Sequence, residues 1–411
     1  MRIELLKKGH LALCLMFATY AAPVVAHEHG NGKSDSEKMW AEMLAKQSSL
    51  VVSVTFDAKG RLWRARVNGG HVLVDHSDDQ GRTFGAPIAV NTETEAIGAE
   101  GDARPKIVIS PDGDIYVSYT QLLRKPYSGN IRFSRSLDGG KTFSAPITVN
   151  DNRDIIGHRF DALAAGTDGK VYLAWLDKRD EAAARKQNEA YAGSALYYAA
   201  SANHGAGFGT NIKIADHSCE CCRLAMAVGD DGIPALLWRH VYDGNVRDHA
   251  FVKLDGKMQP IRVSHDNWRV EACPHHGPAL AAGPASTYHA VWFDDAPQSR
   301  GLFYARSQDG GKTFGAPMHF GNDSAQPGHP DVLNIDKKVF LVWKEFDGEK
   351  SAVYTMRSLD NGTTWSMPQR AAATADASDH PTLIGHGDHA YLSWNTLQEG
   401  HLIIPLNDGH P

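Results

Sequence analysis

Short apolar runs that close on an aromatic residue recur along the whole of this chain. They read Leu62-Trp63, Val117-Ser118-Tyr119, Leu173-Ala174-Trp175, Leu236-Leu237-Trp238, Ala290-Val291-Trp292, Leu341-Val342-Trp343 and Leu392-Ser393-Trp394. Six of these seven follow another apolar run and a turn containing Asp or Gly, such as Pro111-Asp112-Gly113-Asp114 or Thr167-Asp168-Gly169-Lys170. Asp-Gly between two apolar runs marks a β-hairpin, because the tight turn needs positive φ. One hairpin repeated at blade-like spacing is the pattern of a propeller. Seven copies predict seven blades.

A second motif follows the third predicted strand of most copies. It reads Ser77-Asp78-Asp79-Gln80-Gly81-Arg82-Thr83-Phe84, and it returns at Ser136–Phe143, Ser307–Phe314 and Ser358–Trp365. Ser201–Phe208 is a decayed copy. The Asp carboxylate is expected to accept the turn's own N–H groups, Gly to supply the left-handed bend, and the aromatic to plug the packing beneath. One Asp per loop falls far short of the roughly six to eight oxygens that calcium takes, so the turn reading prevails over a calcium loop.

The Ser-x-Asp-x-Gly-x-Thr-aromatic pattern resembles the Asp-box of sialidases and their relatives, over nearly all of the chain from Ser49 onward. The resemblance implies an all-β fold, a β-propeller of four-stranded antiparallel blades. Sialidase domains usually have six blades, so six is the alternative to the seven counted. It also implies a chemistry: three arginines gripping a substrate carboxylate, an Asp as acid/base, and a Tyr–Glu nucleophile. Arg104, Arg159 and Arg223 are the candidate arginines and Asp161 the candidate carboxylate. No Arg-Ile-Pro motif precedes Ser77, and Tyr354 recurs at the blade position of Phe133, Tyr198 and Tyr304, which marks it as core packing. Fold alone does not carry activity across.

Composition adds location. Lys7 and Lys8 precede an apolar run from Leu11 to Ala26 that ends in small residues, the layout of a signal peptide cleaved after Ala26. Leu13 before Cys14 is a poor lipidation context. Residues 1–26 are therefore read as leader, 27–48 as a lead-in and 49–411 as propeller, in an exported protein. No later run is long and apolar enough for a bilayer. A net charge of −6 without long runs of one sign excludes a nucleic-acid binder. Nothing in the sequence marks the oligomeric state.

Propeller geometry sorts the loops. The loop leading into each blade starts beside the channel, so these loops converge on one mouth. They carry Asp102 and Arg104; His158, Arg159 and Asp161; Cys219-Glu220-Cys221-Cys222-Arg223; Cys273-Pro274-His275-His276; His329-Pro330; and Asp379-His380-Pro381. Thiolate and imidazole suit copper(I) and zinc. Cys219, Cys221, Cys222, Cys273, His275 and His276 are thus the candidate ligands for copper, with zinc as the alternative. His158, His329 and His380 are weaker candidates. Cleavage after Ala26 would expose His27-Glu28-His29, an amine-terminal copper(II) or nickel(II) motif. A disulfide from Cys221 or Cys222 to Cys273 is expected on compartment grounds and can coexist with a metal.

Three readings follow: a metal-binding propeller, a sialidase-type hydrolase acting on a small-molecule or glycan ligand at the channel mouth, and a binding scaffold stapled by disulfides. The stretch Glu181–Tyr191 favours helix and sits where it could fold over the mouth as a lid.

Overall fold

The computed structural model describes Glu42, Leu44 and residues 47–406. The expected leader, the His27-Glu28-His29 motif and most of the expected lead-in lie outside the described residues. Seven antiparallel sheets follow one another, each built from consecutive strands, and form a seven-bladed propeller ring. Blade 1 runs from Ser48–Phe56 to Ile88–Ala89, blade 2 from Lys106–Ile109 to Ile147–Thr148, and blade 3 from His158–Ala165 to Ile212–Ser218. Blade 4 runs from Ala225–Val228 to Ile261–Arg262, and blade 5 from Ala279–Gly283 to Met318–Phe320. Blade 6 spans Gly328–Ile335 to Gln369–Thr374, and blade 7 spans Thr382–His386 to Gly400–Pro405. Blades 1 to 6 have four strands; blade 7 has three among the described residues, one fewer than the repeat predicts.

Each blade is sandwiched between two others, so its second strand is apolar on both faces. The strand Val171–Asp177 shows this, with every residue but Tyr172 buried. The core therefore lies between blades. One cluster joins Tyr116 and Phe133 of blade 2 to Leu173 and Trp175 of blade 3, and another joins Phe251 of blade 4 to Tyr288 and Trp292 of blade 5. Trp175, Trp238, Trp292, Trp343 and Trp394 are all fully buried. Removing one such side chain costs about 3–5 kcal/mol. Trp63 departs from the predicted pattern: it stands at the start of its strand, Leu62–Asn68, rather than at its end. The blade repeat places it level with Tyr116 and Tyr172, not with Trp175.

The Ser-x-Asp-x-Gly-x-Thr turns fold alike. Ser77 Oγ donates to Asp79 Oδ1 at 2.7 Å and accepts from Gly81 N at 2.7 Å. Asp79 also accepts from Thr83 N at 2.8 Å and Thr83 Oγ1 at 2.7 Å. Donation from Thr83 and Ser77 holds the Asp79 carboxyl down at about 2. Even the decayed copy keeps the bend, with Gly205 N on Ser201 Oγ at 3.1 Å and Gly207 N on Asn203 Oδ1 at 3.3 Å.

The turn's aromatic packs on the preceding blade. Phe208 meets Phe133 with ring centroids 4.9 Å apart, Phe314 meets Phe251 at 5.3 Å, and Trp365 meets Tyr304 at 4.8 Å. Phe84 of blade 1 stacks on His401 of blade 7 at 6.1 Å, so the same contact closes the ring.

Among the described residues no sheet is shared across that closure. Leu62 packs with Ile384 and Tyr391 across it. Asp379 accepts from Arg104 Nη1 at 2.8 Å, Arg104 Nη2 at 2.5 Å and Val52 N at 3.0 Å. Asn395 Nδ2 donates to Leu50 O at 2.8 Å.

Candidate metal and ligand site at the channel mouth

The link from blade 3 to blade 4 carries three thiols into the protein. His217 takes φ 56, which turns the chain inward, and Cys219 N then bonds Arg239 O at 2.9 Å. Cys219, Cys221 and Cys222 are all buried. Cys219 Sγ lies 3.8 Å from Cys221 Sγ and 3.3 Å from Cys222 Sγ, and Arg247 Nη1 approaches it at 3.4 Å. Donation from the two neighbouring thiols holds the Cys219 thiol well below the usual range, and Arg239 and Arg247 add to the effect. The same contacts with Cys219 push the Cys221 and Cys222 thiols up.

All four described cysteines carry free thiols, in contrast to the expected disulfide. The Sγ spacings within the trio exceed the ~2.05 Å of an S–S bond. Cys273 is exposed, and its sulfur, Cys221 Sγ and a His275 ring nitrogen lie within 4.8 Å of one another. Cys221 thus belongs to two sets, one buried and one facing solvent.

His276 departs from the predicted ligand set. It stacks on His329 at 4.4 Å between ring centroids and on Phe293 at 4.3 Å, and is not grouped with the thiols. His329 in turn stacks on His380 at 3.4 Å. The Nδ1 atoms of His276 and His329 are buried without a hydrogen-bond partner. Burial pushes His276 down to about 4 and His329 well below its ordinary value. His380 Nδ1 sits 3.3 Å from Asp102 Oδ1, and Asp102, His329 and His380 form a further set of converging ligand atoms. Burial also lowers His380, with Asp102 opposing the shift. His158 is elsewhere: it is fully buried, with Nδ1 2.8 Å from Gly129 O and Nε2 3.8 Å from Asp177, and it does not line the mouth.

The three candidate arginines separate. Arg104 is buried in the closure, bonded to Asp379, Gly101 O and Val52 O. Arg223 is tied to Pro278 O at 2.8 Å, Pro330 O at 2.6 Å and Asp102 at 3.5 Å. Asp161 is buried too, accepting from Ser118 Oγ at 2.5 Å and Thr120 Oγ1 at 3.4 Å. Arg104 and Arg223 border a second cavity of about 260 Å³ despite these bonds, whereas Arg159 lines the larger one, with its Nε buried and without a partner.

Arg159 lines a cavity of about 840 Å³ at the mouth, with Cys221, Cys273, His275, His329 and His380 on other walls. That volume suits a small-molecule ligand. Lys178 and Glu220, which pair with each other, also line it. Lys178 immediately precedes helix α1, Arg179–Lys186, which begins two residues before the predicted helical stretch. The rest of that loop is fixed by Tyr191, whose hydroxyl donates to Asp216 Oδ1 at 2.8 Å. Sequence reasoning missed Lys178, Glu100, Tyr127 and Phe160 as cavity walls. Lys178 carried a usable signal, since it lies three residues before Glu181–Tyr191, the stretch expected to fold over the mouth.

No protein-family model matches the chain, and no curated protein matches it. Among solved structures, polysaccharide lyase Uly1 aligns at TM-score 0.53 with 9% identity, over 86% of this chain and 90% of that one. A polysaccharide lyase of family PL25, an ulvan lyase, aligns at TM-score 0.52 with 10% identity, over 88% and 92%. The Hadza microbial sialidase Hz136 aligns at TM-score 0.47 with 13% identity, over 84% and 75%. No helix among the described residues is long and apolar enough to cross a membrane. The chain has the fold of a seven-bladed β-propeller, and its likeness to these lyases is one of fold.

Proposed function

We propose that this chain is an exported propeller that binds a soft metal ion, copper(I) before zinc, through Cys219, Cys221 and Cys222. The observation that carries the reading is the gathering of three buried sulfurs at one point. Tetrahedral thiolate ligands at ~2.3 Å from a metal stand about 3.8 Å from one another. The Cys219–Cys221 spacing of 3.8 Å meets that, and the 3.3 Å to Cys222 needs only a small opening. Three thiolates around copper(I) carry net negative charge, which Arg247 beside Cys219 and the buried Arg239 offset. Bound copper(I) would supply a one-electron redox couple. Cys273 and His275 share Cys221 and face the solvent side, a route for the ion to enter or leave.

The test is to load reduced protein with copper(I) against the chelator bathocuproine disulfonate. The wild type should retain about one ion per chain, and the Cys219→Ser/Cys221→Ser/Cys222→Ser variant none. Wild type that yields all its copper to the chelator, or a variant that retains it equally, refutes the reading.

The cavity favours a second reading that is compatible with the first. Its volume and the cationic Arg159 on its wall suit a small anionic ligand such as an acidic sugar. A hydrolase built on Arg104, Arg159, Arg223 and Asp161 is less well supported, because three of those four are occupied by protein partners.

A further inference from the structure

We infer that Asp248, Asp266 and Asp294 form a binding site for a hard divalent cation of the calcium class, buried between blades 4 and 5. Ligand-capable oxygens of the three carboxylates lie within 4.8 Å of one another. Asp248 and Asp294 are each 0% exposed, and Asp248 Oδ1 and Asp294 Oδ2 have no hydrogen-bond partner. A buried carboxylate oxygen left unpaired is costly, so each such atom needs a cation or a proton to explain it.

The blade repeat supplies an internal comparison. In blade 3 the acid two residues after the buried tryptophan accepts that indole's N–H, Trp175 Nε1 to Asp177 Oδ2 at 2.8 Å. Blade 6 does the same, Trp343 Nε1 to Glu345 Oε1 at 2.7 Å. Asp294 holds this position in blade 5, yet Trp292 Nε1 donates to Asp266 Oδ2 at 3.3 Å instead. The exchange frees an Asp294 oxygen and brings a second carboxylate beside it.

Nearby cations do not complete the set. Arg262 is committed to Asp248 Oδ2, which also accepts from Asn267 N at 3.3 Å. Arg239 donates to the carbonyls of Arg247, His276 and Phe293, and its Nη1 stands 4.0 Å from Asp294 Oδ2. Asp266 Oδ1 accepts from Ser299 and Asp294 Oδ1 from Ala296 N at 2.9 Å. Two guanidiniums against three carboxylates leave negative charge in excess, and an all-oxygen donor set suits calcium, not a soft metal.

The experiment uses full-length protein stripped with EGTA, desalted and melted with calcium chloride or magnesium chloride, together with equilibrium dialysis against calcium-45. Calcium should raise the melting temperature and bind at about one ion per chain. Asp294→Asn should abolish both effects while retaining copper(I), which separates this site from the thiol cluster. If wild type neither binds calcium-45 nor melts higher with either ion, the carboxylates share a proton and the inference is wrong. Wild-type dialysis decides the matter even if Asp294→Asn fails to fold.

Discussion

Replacing Asp379 with alanine should open the propeller where blade 7 meets blade 1. The carboxylate takes two bonds from Arg104, one from Val52 N and one from His380 N at 2.7 Å. Arg104 is 8% exposed and Asp379 5%, so the truncation leaves a guanidinium buried without its counter-charge. Breaking such a pair from one side costs about 3–5 kcal/mol. Arg104 keeps its bonds to Gly101 O and Val52 O, which places the expected loss near 3 kcal/mol rather than 5. Asp379→Asn preserves an acceptor without the charge and should lose roughly half as much. Replacing both partners, Arg104→Met with Asp379→Leu, should recover most of the stability because no buried charge remains. Urea unfolding followed by tryptophan fluorescence measures all four proteins, since Trp394 bonds to Asp379 O at 3.0 Å and reports on this seam. A loss below ~1 kcal/mol for Asp379→Ala, the size of a surface pair, would refute the view that this bond latches the ring.

Gly311→Ala should destabilise by more than the ~1–3 kcal/mol of backbone strain alone, because φ is +85° and the new Cβ would stand 2.1 Å from Phe251 Cε1; thermal melting checks it. Burial pushes His240, His276, His289 and His401 down to about 4, so below pH 6.5 the unfolded chain binds protons that the fold refuses. Stability should therefore be full at neutral pH and fall steadily from pH 6.5 toward 4; a flat melting temperature between pH 7 and 5 contradicts this. Arg159→Ala should leave the melting temperature unchanged and weaken binding of an acidic oligosaccharide about tenfold, as read by fluorescence titration. Unchanged affinity would place that ligand outside the mouth cavity.

The seven blades were legible because the signals that mark them are local: a turn, an apolar strand and an aromatic within a few residues. Trp63 misled because periodicity gives a strand's existence more firmly than its ends, and nothing before Leu62 distinguishes a tryptophan that opens a strand from one that closes it. The thiol trio was visible in Cys219-x-Cys221-Cys222, since neighbours in sequence stay neighbours in space. His276 adjoins His275 in sequence but faces another way, because φ 55 at His275 swings the chain between them. Whether an arginine is free depends on carbonyls from other blades, as at Arg223 with Pro330, and no spacing in the sequence reports that. Asp248, Asp266 and Asp294 come from the residue just before a third strand, an inter-blade linker and a second strand, so only the folded chain brings them together.

Because every blade, among the described residues, is one uninterrupted stretch of chain, the order of synthesis is also the order of blades. Each sheet can form from residues already released by the ribosome, without waiting for a distant strand, and can dock on the blade made before it. One step lacks this advantage. Leu50 and Asn395 are 345 residues apart, and their meeting at the seam carries a larger loop-closure entropy than any contact within a blade. Until then blade 1 presents an uncovered apolar face, so the interval before blade 7 emerges is when a nascent chain most needs a chaperone.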